Sequence, residues 1–166
     1  FFNGGGKVID SSPMYGSAEE RVGDVLDAMA DPPPLFAATK VWTTGAERGI
    51  AQMQESARRM RVKTFDLIAV HNLTDWKTQL ATLKRWKDEG KVRYIGASSM
   101  YTWQFAKMQH AAERNGWTKF ISMQNHYNLA YREEEREMIP YCRDTGVAVM
   151  PWSPLARGFL AGNRSR

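Results

Sequence analysis

Six short apolar, β-branched or aromatic runs recur along the chain, beginning near Val8, Phe36, Phe65, Val92, Phe120 and Val147, about 28 residues apart. Each is too short for a helix and is bounded by turn or polar residues, so each predicts a strand. Between the runs the apolar positions change to helical spacing. Val22, Val25, Leu26 and Met29 fall at i, i+3, i+4 and i+7, and Ser17 followed by Glu20 predicts a capping box that starts this helix. Asp31-Pro32-Pro33-Pro34 stops it, because proline has no N–H to continue the helical ladder. A second helix carries Ile50, Met53, Ala57 and Met60, and a third carries Trp76, Leu80, Leu83 and Trp86 and is closed by Gly90. The fourth is expected from about Trp103 to Asn115, and the fifth from about Arg132 to Thr145 with a bend at Pro140.

Strands alternating with helices at this pitch imply successive right-handed βαβ units and a parallel sheet. An open doubly wound sheet and a (β/α)₈ TIM barrel both have that order. A doubly wound dinucleotide fold would place G-x-G-x-x-G between the first strand and its helix. Here Gly4-Gly5-Gly6 precedes the strand as a turn, and Pro13-Met14-Tyr15-Gly16 follows it. The α/β class expected is therefore a partial TIM barrel of about six parallel strands with alternating helices, since a whole barrel takes about 250 residues.

Composition narrows the function classes. With 166 residues, 43% apolar and 25% charged, the chain can bury a core and is expected to form one domain over residues 1–166. No apolar run approaches the roughly 20 residues of a membrane span, and Phe1-Phe2-Asn3-Gly4-Gly5-Gly6 does not resemble a leader, so no membrane partner and a cytoplasmic location are expected. The single Cys142 leaves no internal disulfide and no cysteine-rich zinc site. His110 and His126 lack a second ligand at metal spacing, so no metal is expected. The net charge is +5, but basic residues interleave with acids, and Glu133-Glu134-Glu135-Arg136-Glu137 reads as a solvated helix face rather than a nucleic-acid footprint.

Four polar residues stand at or just past the ends of the first three runs: Asp10, Tyr15, Lys40 and His71. In parallel α/β folds these ends are where active sites gather. A tyrosine hydroxyl is a poor acid at neutral pH, but a nearby ammonium such as Lys40 favours the phenolate. Asp10 can hold Lys40, and His71 can donate to a substrate oxygen. Such a set protonates or deprotonates a carbonyl or alcohol oxygen. Gly96-Ala97-Ser98-Ser99-Met100 lacks the second glycine of a nucleophile elbow, which argues against serine hydrolysis.

Six stretches in register extend the pattern: Ile9-Asp10-Ser11-Ser12-Pro13-Met14-Tyr15-Gly16, Ala38-Thr39-Lys40-Val41-Trp42, Val70-His71-Asn72, Tyr94-Ile95-Gly96-Ala97-Ser98-Ser99, Met123-Gln124-Asn125-His126-Tyr127-Asn128, and Pro151-Trp152-Ser153-Pro154-Leu155-Ala156-Arg157-Gly158. Together they resemble the aldo-keto reductase superfamily, in the branch similar to potassium-channel β subunits. The resemblance implies a (β/α)₈ barrel, of which this chain would carry family strands 2 to 7. It also implies reduction of small-molecule aldehydes or ketones with NADPH, or alternatively NADH, and a homo-oligomer as a possible assembly. By that resemblance Tyr15 is the general acid, Lys40 lowers its pKa, Asp10 holds Lys40 and His71 orients the carbonyl. Ser98, Ser99 and Gln124 match positions that hold the nicotinamide amide, with Ser99 standing where many relatives have Asn. Trp152 matches an aromatic stacked on the nicotinamide, and Ser153, Leu155 and Arg157 match the loop along the pyrophosphate. Trp42 and Asn72 would flank the substrate.

Relatives carry one more strand before this stretch and another after it, so truncation at both ends is expected, with Phe1-Phe2-Asn3 lying inside a helix and the adenosine 2′-phosphate residues outside the chain. Up to about Arg93 the wording resembles one subgroup and from about Tyr94 another, which suggests a splice of the two. Two further readings follow: a non-catalytic fragment, and a channel-β-like interaction module that binds cofactor without turnover.

Overall fold

A computed structural model of the chain describes residues Phe1–Gly162. Six strands and five α-helices alternate among them: β1 (Val8–Asp10), α1 (Ala18–Asp27), β2 (Phe36–Val41), α2 (Ala46–Met60), β3 (Phe65–Val70), α3 (Trp76–Asp88), β4 (Val92–Ser98), α4 (Thr102–Arg114), β5 (Ser122–Gln124), α5 (Met138–Thr145) and β6 (Ala148–Val149). The strands are neighbours in chain order and parallel. Two compact units divide inside β4, the first covering Phe1–Ile95 and the second beginning at Gly96.

In the first unit β1 pairs with β2 at Val8↔Phe36, and β2 pairs with β3 at Ala38↔Leu67 and Lys40↔Ala69. Every residue of β3 is buried, as expected of a parallel strand covered on both faces. Met53 and Met60 of α2, Leu83 and Trp86 of α3, and Phe65 and Ile68 of β3 form the core, each such side chain contributing about 1.5–3 kcal/mol by burial. The buried face of α3 is Gln79, Thr82, Leu83 and Trp86, while the expected Trp76 and Leu80 are half-buried. Helix α1 lies close on α2, and a Cβ at Gly23 would collide with the Arg59 carbonyl oxygen.

Helix α1 forms as expected, but its buried residues are Glu19 and Gly23, while the apolar Val22, Val25, Leu26 and Met29 line an open groove with Phe1, Phe2 and Ile9. The capping box expected at its start does not form. Ser17 is the N-cap of α1 but makes no side-chain cap bond, because its backbone (φ −88, ψ 10) lies outside the extended region that aims a cap hydroxyl at the helix. At the start of the chain Phe2–Gly4 form one 3₁₀ turn closed by Gly5 at φ 80.

In the second unit β4, β5 and β6 pair at Gly96↔Ser122, Ser98↔Gln124 and Ser122↔Ala148. Phe105 packs its ring 5.8 Å from both Phe120 and Tyr141, beside buried Met123, Met138 and Cys142. The single helix expected over Arg132–Thr145 is instead a 3₁₀ turn at Glu133–Glu135 followed by α5. Pro140 is the third residue of α5, where an N–H would have no intrahelical partner, so it stands in the first turn instead of bending the helix. Among the described residues, no helix is long and apolar enough to cross a membrane.

Candidate active site

The first unit gathers all four predicted proton-transfer residues. Asp10 ends β1, Lys40 is the last but one residue of β2, and His71 follows β3 directly. Tyr15 is reached through a tight turn in which its N–H donates to Ser12 O at 2.9 Å. Lys40 is 1% exposed, and its Nζ donates to Asp10 Oδ2 at 2.6 Å and to Ser11 O at 2.9 Å. Lys40 Nζ stands 5.2 Å from the centroid of the Tyr15 ring. The Tyr15 and His71 rings meet edge to face at 6.3 Å, and Trp42 lies 6.4 Å from His71 on another side. Tyr15 remains 45% exposed, so its hydroxyl can be reached by a ligand.

Burial dominates the electrostatics. It pushes Lys40 below the ordinary lysine value, against the opposing pull of Asp10 and, more weakly, of Glu19. It also lowers His71, helped by the Lys40 charge and opposed by Asp10, which favours a neutral imidazole. Tyr15 is raised, first by burial and then by Asp10. Burial and Asp10 thus outweigh any pull of Lys40 on Tyr15: the ammonium is bonded to Asp10 and Ser11 and stands over the Tyr15 ring.

Two supporting residues have no signature in the sequence pattern. Ser12 is fully buried and lies 3.3 Å from His71 Nδ1. Glu19 is 1% exposed, and its Oε1 accepts from Thr39 Oγ1 at 2.6 Å, one position before Lys40. Read locally, Glu19 is only a first-turn acid; its partner lies in another element. Trp42 is exposed just past β2, and Asn72 is exposed with a left-handed backbone at φ 51.

The second unit holds the remaining predicted positions. Ser98 and Gln124 end their strands as register partners and are both buried, and Ser99 N–H donates to Gln124 O at 3.0 Å. The Ser98 and Ser99 hydroxyls lie 3.4 Å apart. Ser99 has φ 54, a left-handed conformation that Asn adopts more readily than most residues. Trp152 stacks on His126 at 4.1 Å, and His126 stacks in turn on Tyr131 at 4.3 Å. His126 therefore packs between two aromatic rings, and its Nε2 lies 3.2 Å from Asn128 Nδ2. Ser153 is held through its carbonyl, which accepts from Asn128 Nδ2 at 3.0 Å. Ser153, Ala156, Arg157 and Gly158 all have left-handed backbone, which coils the loop and leaves Leu155 and Arg157 exposed.

The acidic run is not simply a solvated face. Glu134 Oε2 accepts from Asn125 Nδ2 at 2.8 Å and lines a pocket with Ser99, His126 and Trp152, while Glu135 Oε1 accepts from Tyr127 OH at 2.6 Å. Hydroxyl and amide groups at two neighbouring strand ends, beside a partly exposed indole, fit a planar ring bearing a carboxamide, which offers one acceptor oxygen and two N–H donors.

The chain is 52% identical over 113 residues to an aldo-keto reductase, AMT2, of Alternaria alternata, covering 66% of this chain and 31% of that protein. It is 56% identical over 105 residues to versiconal hemiacetal acetate reductase of Aspergillus parasiticus, covering 61% of this chain and 31% of that protein. The chain thus spans about a third of the length of these curated relatives. Among solved structures, a glycerol dehydrogenase of Gluconobacter oxydans aligns with a TM-score of 0.83 at 26% identity, over 99% of this chain and 54% of that one. The solved structures this chain resembles have the TIM-barrel fold, so the α/β barrel class expected from the strand pitch holds. The Aldo/keto reductase family pattern matches residues 1–166, and the chain belongs to that family.

Proposed function

We propose that the protein carrying this chain is an oxidoreductase that reduces aldehydes or ketones to alcohols with NADPH, or alternatively NADH, using Tyr15 as the proton donor. The observation that carries the reading is the ion pair between the buried Lys40 and the partly exposed Asp10 at 2.6 Å, with Tyr15 and His71 around it. A bound nicotinamide supplies the hydride. The developing alkoxide is far more basic than a phenolate, so a Tyr15 hydroxyl that stays protonated at neutral pH gives up its proton to it downhill. Lys40 favours the phenolate left behind, and Asp10 keeps the ammonium in place. A Ser12 hydroxyl donating to Nδ1 leaves the His71 proton on Nε2, where it can hydrogen-bond the carbonyl oxygen.

On the same reading Ser98, Ser99 and Gln124 bind the nicotinamide amide, Trp152 stacks on the ring, and Ser153, Leu155 and Arg157 follow the pyrophosphate. Trp42 and Asn72 flank the small-molecule carbonyl. Residues 1–166 belong to one barrel domain of a cytoplasmic protein. The channel-β-like branch, the joining of two subgroups and a homo-oligomeric assembly belong to this proposal as well.

The test is Tyr15→Phe in NADPH-dependent aldehyde reduction. Loss of general acid catalysis should cost roughly 10²–10⁴-fold in kcat, and activity within about tenfold of the parent would sink the role. Titration of NADPH against tryptophan fluorescence separates the alternatives: saturable binding without turnover is the behaviour of an interaction module, and no binding is that of a non-catalytic fragment.

A further inference from the structure

We infer that Gln52, together with Asp75 and Gln79, is a positioning clamp that holds the Trp42–Gly45 loop, fixes the Trp42 indole beside His71, and so favours aromatic over short aliphatic carbonyl substrates. The inference rests on the reading above, in which Trp42 flanks the substrate. Trp42 lies just past the end of β2, where no strand ladder fixes it. Gln52 replaces the ladder: Trp42 N–H donates to Gln52 Oε1 at 2.6 Å, and Gln52 Nε2 donates back to Trp42 O at 3.2 Å. A primary amide presents the same donor and acceptor pair as a peptide and can stand in for a strand neighbour. The second unit uses the same device at Gln109, whose amide exchanges two 2.9 Å bonds with the Phe120 backbone. Gln109 is buried and serves the core, whereas Gln52 lies on a half-buried face of α2 beside the exposed Trp42.

The far end of the loop is tied as closely. Gly45 N–H donates to Asp75 Oδ2 at 2.8 Å, and Gln79 Nε2 donates to both Thr43 O and Gly45 O at 3.1 Å. Asp75 Oδ1 accepts in turn from Thr78 Oγ1 at 2.9 Å. Asp75 stands in the segment that follows His71, where Asn72, Leu73 and Asp75 have φ of 51, 56 and 43. Three non-glycine residues in left-handed backbone so close together persist only where surrounding contacts over-determine them. Those contacts join the loop that carries Trp42 to the segment that begins with His71. The result is a rigid wall of Trp42 beside His71 and Tyr15, with Trp42 41% and Tyr15 45% exposed, suited to a flat apolar group.

The test pairs Gln52→Leu with Trp42→Ala, using benzaldehyde and propanal as probes. Gln52→Leu should raise KM for benzaldehyde about five- to tenfold, as for residues coupled by contact, with kcat and the propanal KM within about twofold of the parent. In the Trp42→Ala background the same change should have no further effect. Equal losses for both aldehydes, or an undiminished effect without Trp42, would overturn the inference. Asp75→Ala, which frees the other end of the loop, should shift KM the same way, and does so independently of whether Gln52→Leu folds. If the parent protein reduces no aldehyde, the proposed function fails, and the clamp is read instead by ¹⁹F NMR of 5-fluorotryptophan-labelled protein. The Trp42 resonance, identified by its loss in Trp42→Phe, should shift and broaden in Gln52→Leu; an unchanged resonance overturns the clamp whatever the activity.

Discussion

Ser12 Oγ and His71 Nδ1 lie 3.3 Å apart and are both buried, although 59 residues separate them in the chain. The partner of one ring nitrogen sets which proton the other carries. Ser12→Ala should therefore lower kcat/KM for aldehyde reduction by about two- to tenfold, the worth of one ordinary hydrogen bond of about 0.5–1.5 kcal/mol. Steady-state kinetics check this, and a Ser12→Thr variant that keeps the hydroxyl should recover part of the loss.

The Lys40 side chain is 1% exposed and that of its partner Asp10 24%, so the two halves of the ion pair are not equivalent. Asp10→Ala leaves the buried Lys40 ammonium bonded to Ser11 O without the carboxylate and should destabilise the fold by about 1–3 kcal/mol in urea unfolding. Lys40→Met, which fills a similar volume without a charge, should cost less stability while abolishing reduction. Greater destabilisation by Lys40→Met than by Asp10→Ala would show that packing, not charge, dominates this position.

The shifted groups set a pH window. His71 titrates below 6.5 in the folded state, so on acidification the unfolded chain takes up its proton first and stability falls as pH drops from 6.5 towards the folded value. Lys40 is likewise depressed below 10.5, so its desolvation weighs on the fold at neutral pH and is relieved as pH rises through the folded value towards 10.5. Tyr15 is raised above 10.0, so the unfolded chain loses this proton first and stability declines above pH 10.0. Denaturant midpoints across this range should show the acid-side slope, and His71→Gln should flatten it below pH 6.5.

Gly23→Ala tests the approach of α1 to α2. Alanine is the better helix former by about 1 kcal/mol, but its Cβ would meet the Arg59 carbonyl, a backbone atom that cannot rotate away. Overpacking of this kind costs about 1–3 kcal/mol, so net destabilisation is expected by thermal or chemical melting. A stabilised variant would show that α1 can shift freely.

Much of the fold is legible in local pattern. The strand runs near Val8, Phe36, Phe65 and Val92 begin where β1 to β4 begin, and β3, buried along its whole length, shows the clearest apolar run. The α1 stripe is helical as its periodicity predicts, yet it lines an open groove, and Glu19 and Gly23 on another side of the helix are the residues that pack. Pro140 could not be placed from spacing alone, since proline suits a first helical turn and bends an interior one.

The site divides along the same line. By itself the sequence determined the order of strands and helices, and put Asp10, Lys40 and His71 at strand ends, because side-chain period and strand length are local properties of the chain. Only the tertiary structure decided what supports them. Glu19 meets Thr39 across 20 residues, Gln52 grips Trp42 across 10, and Asp75 holds Gly45 across 30. A polar side chain with a partner in another element leaves no periodic trace, and whether it is a solvated charge or a buried support depends on the packing of the elements around it.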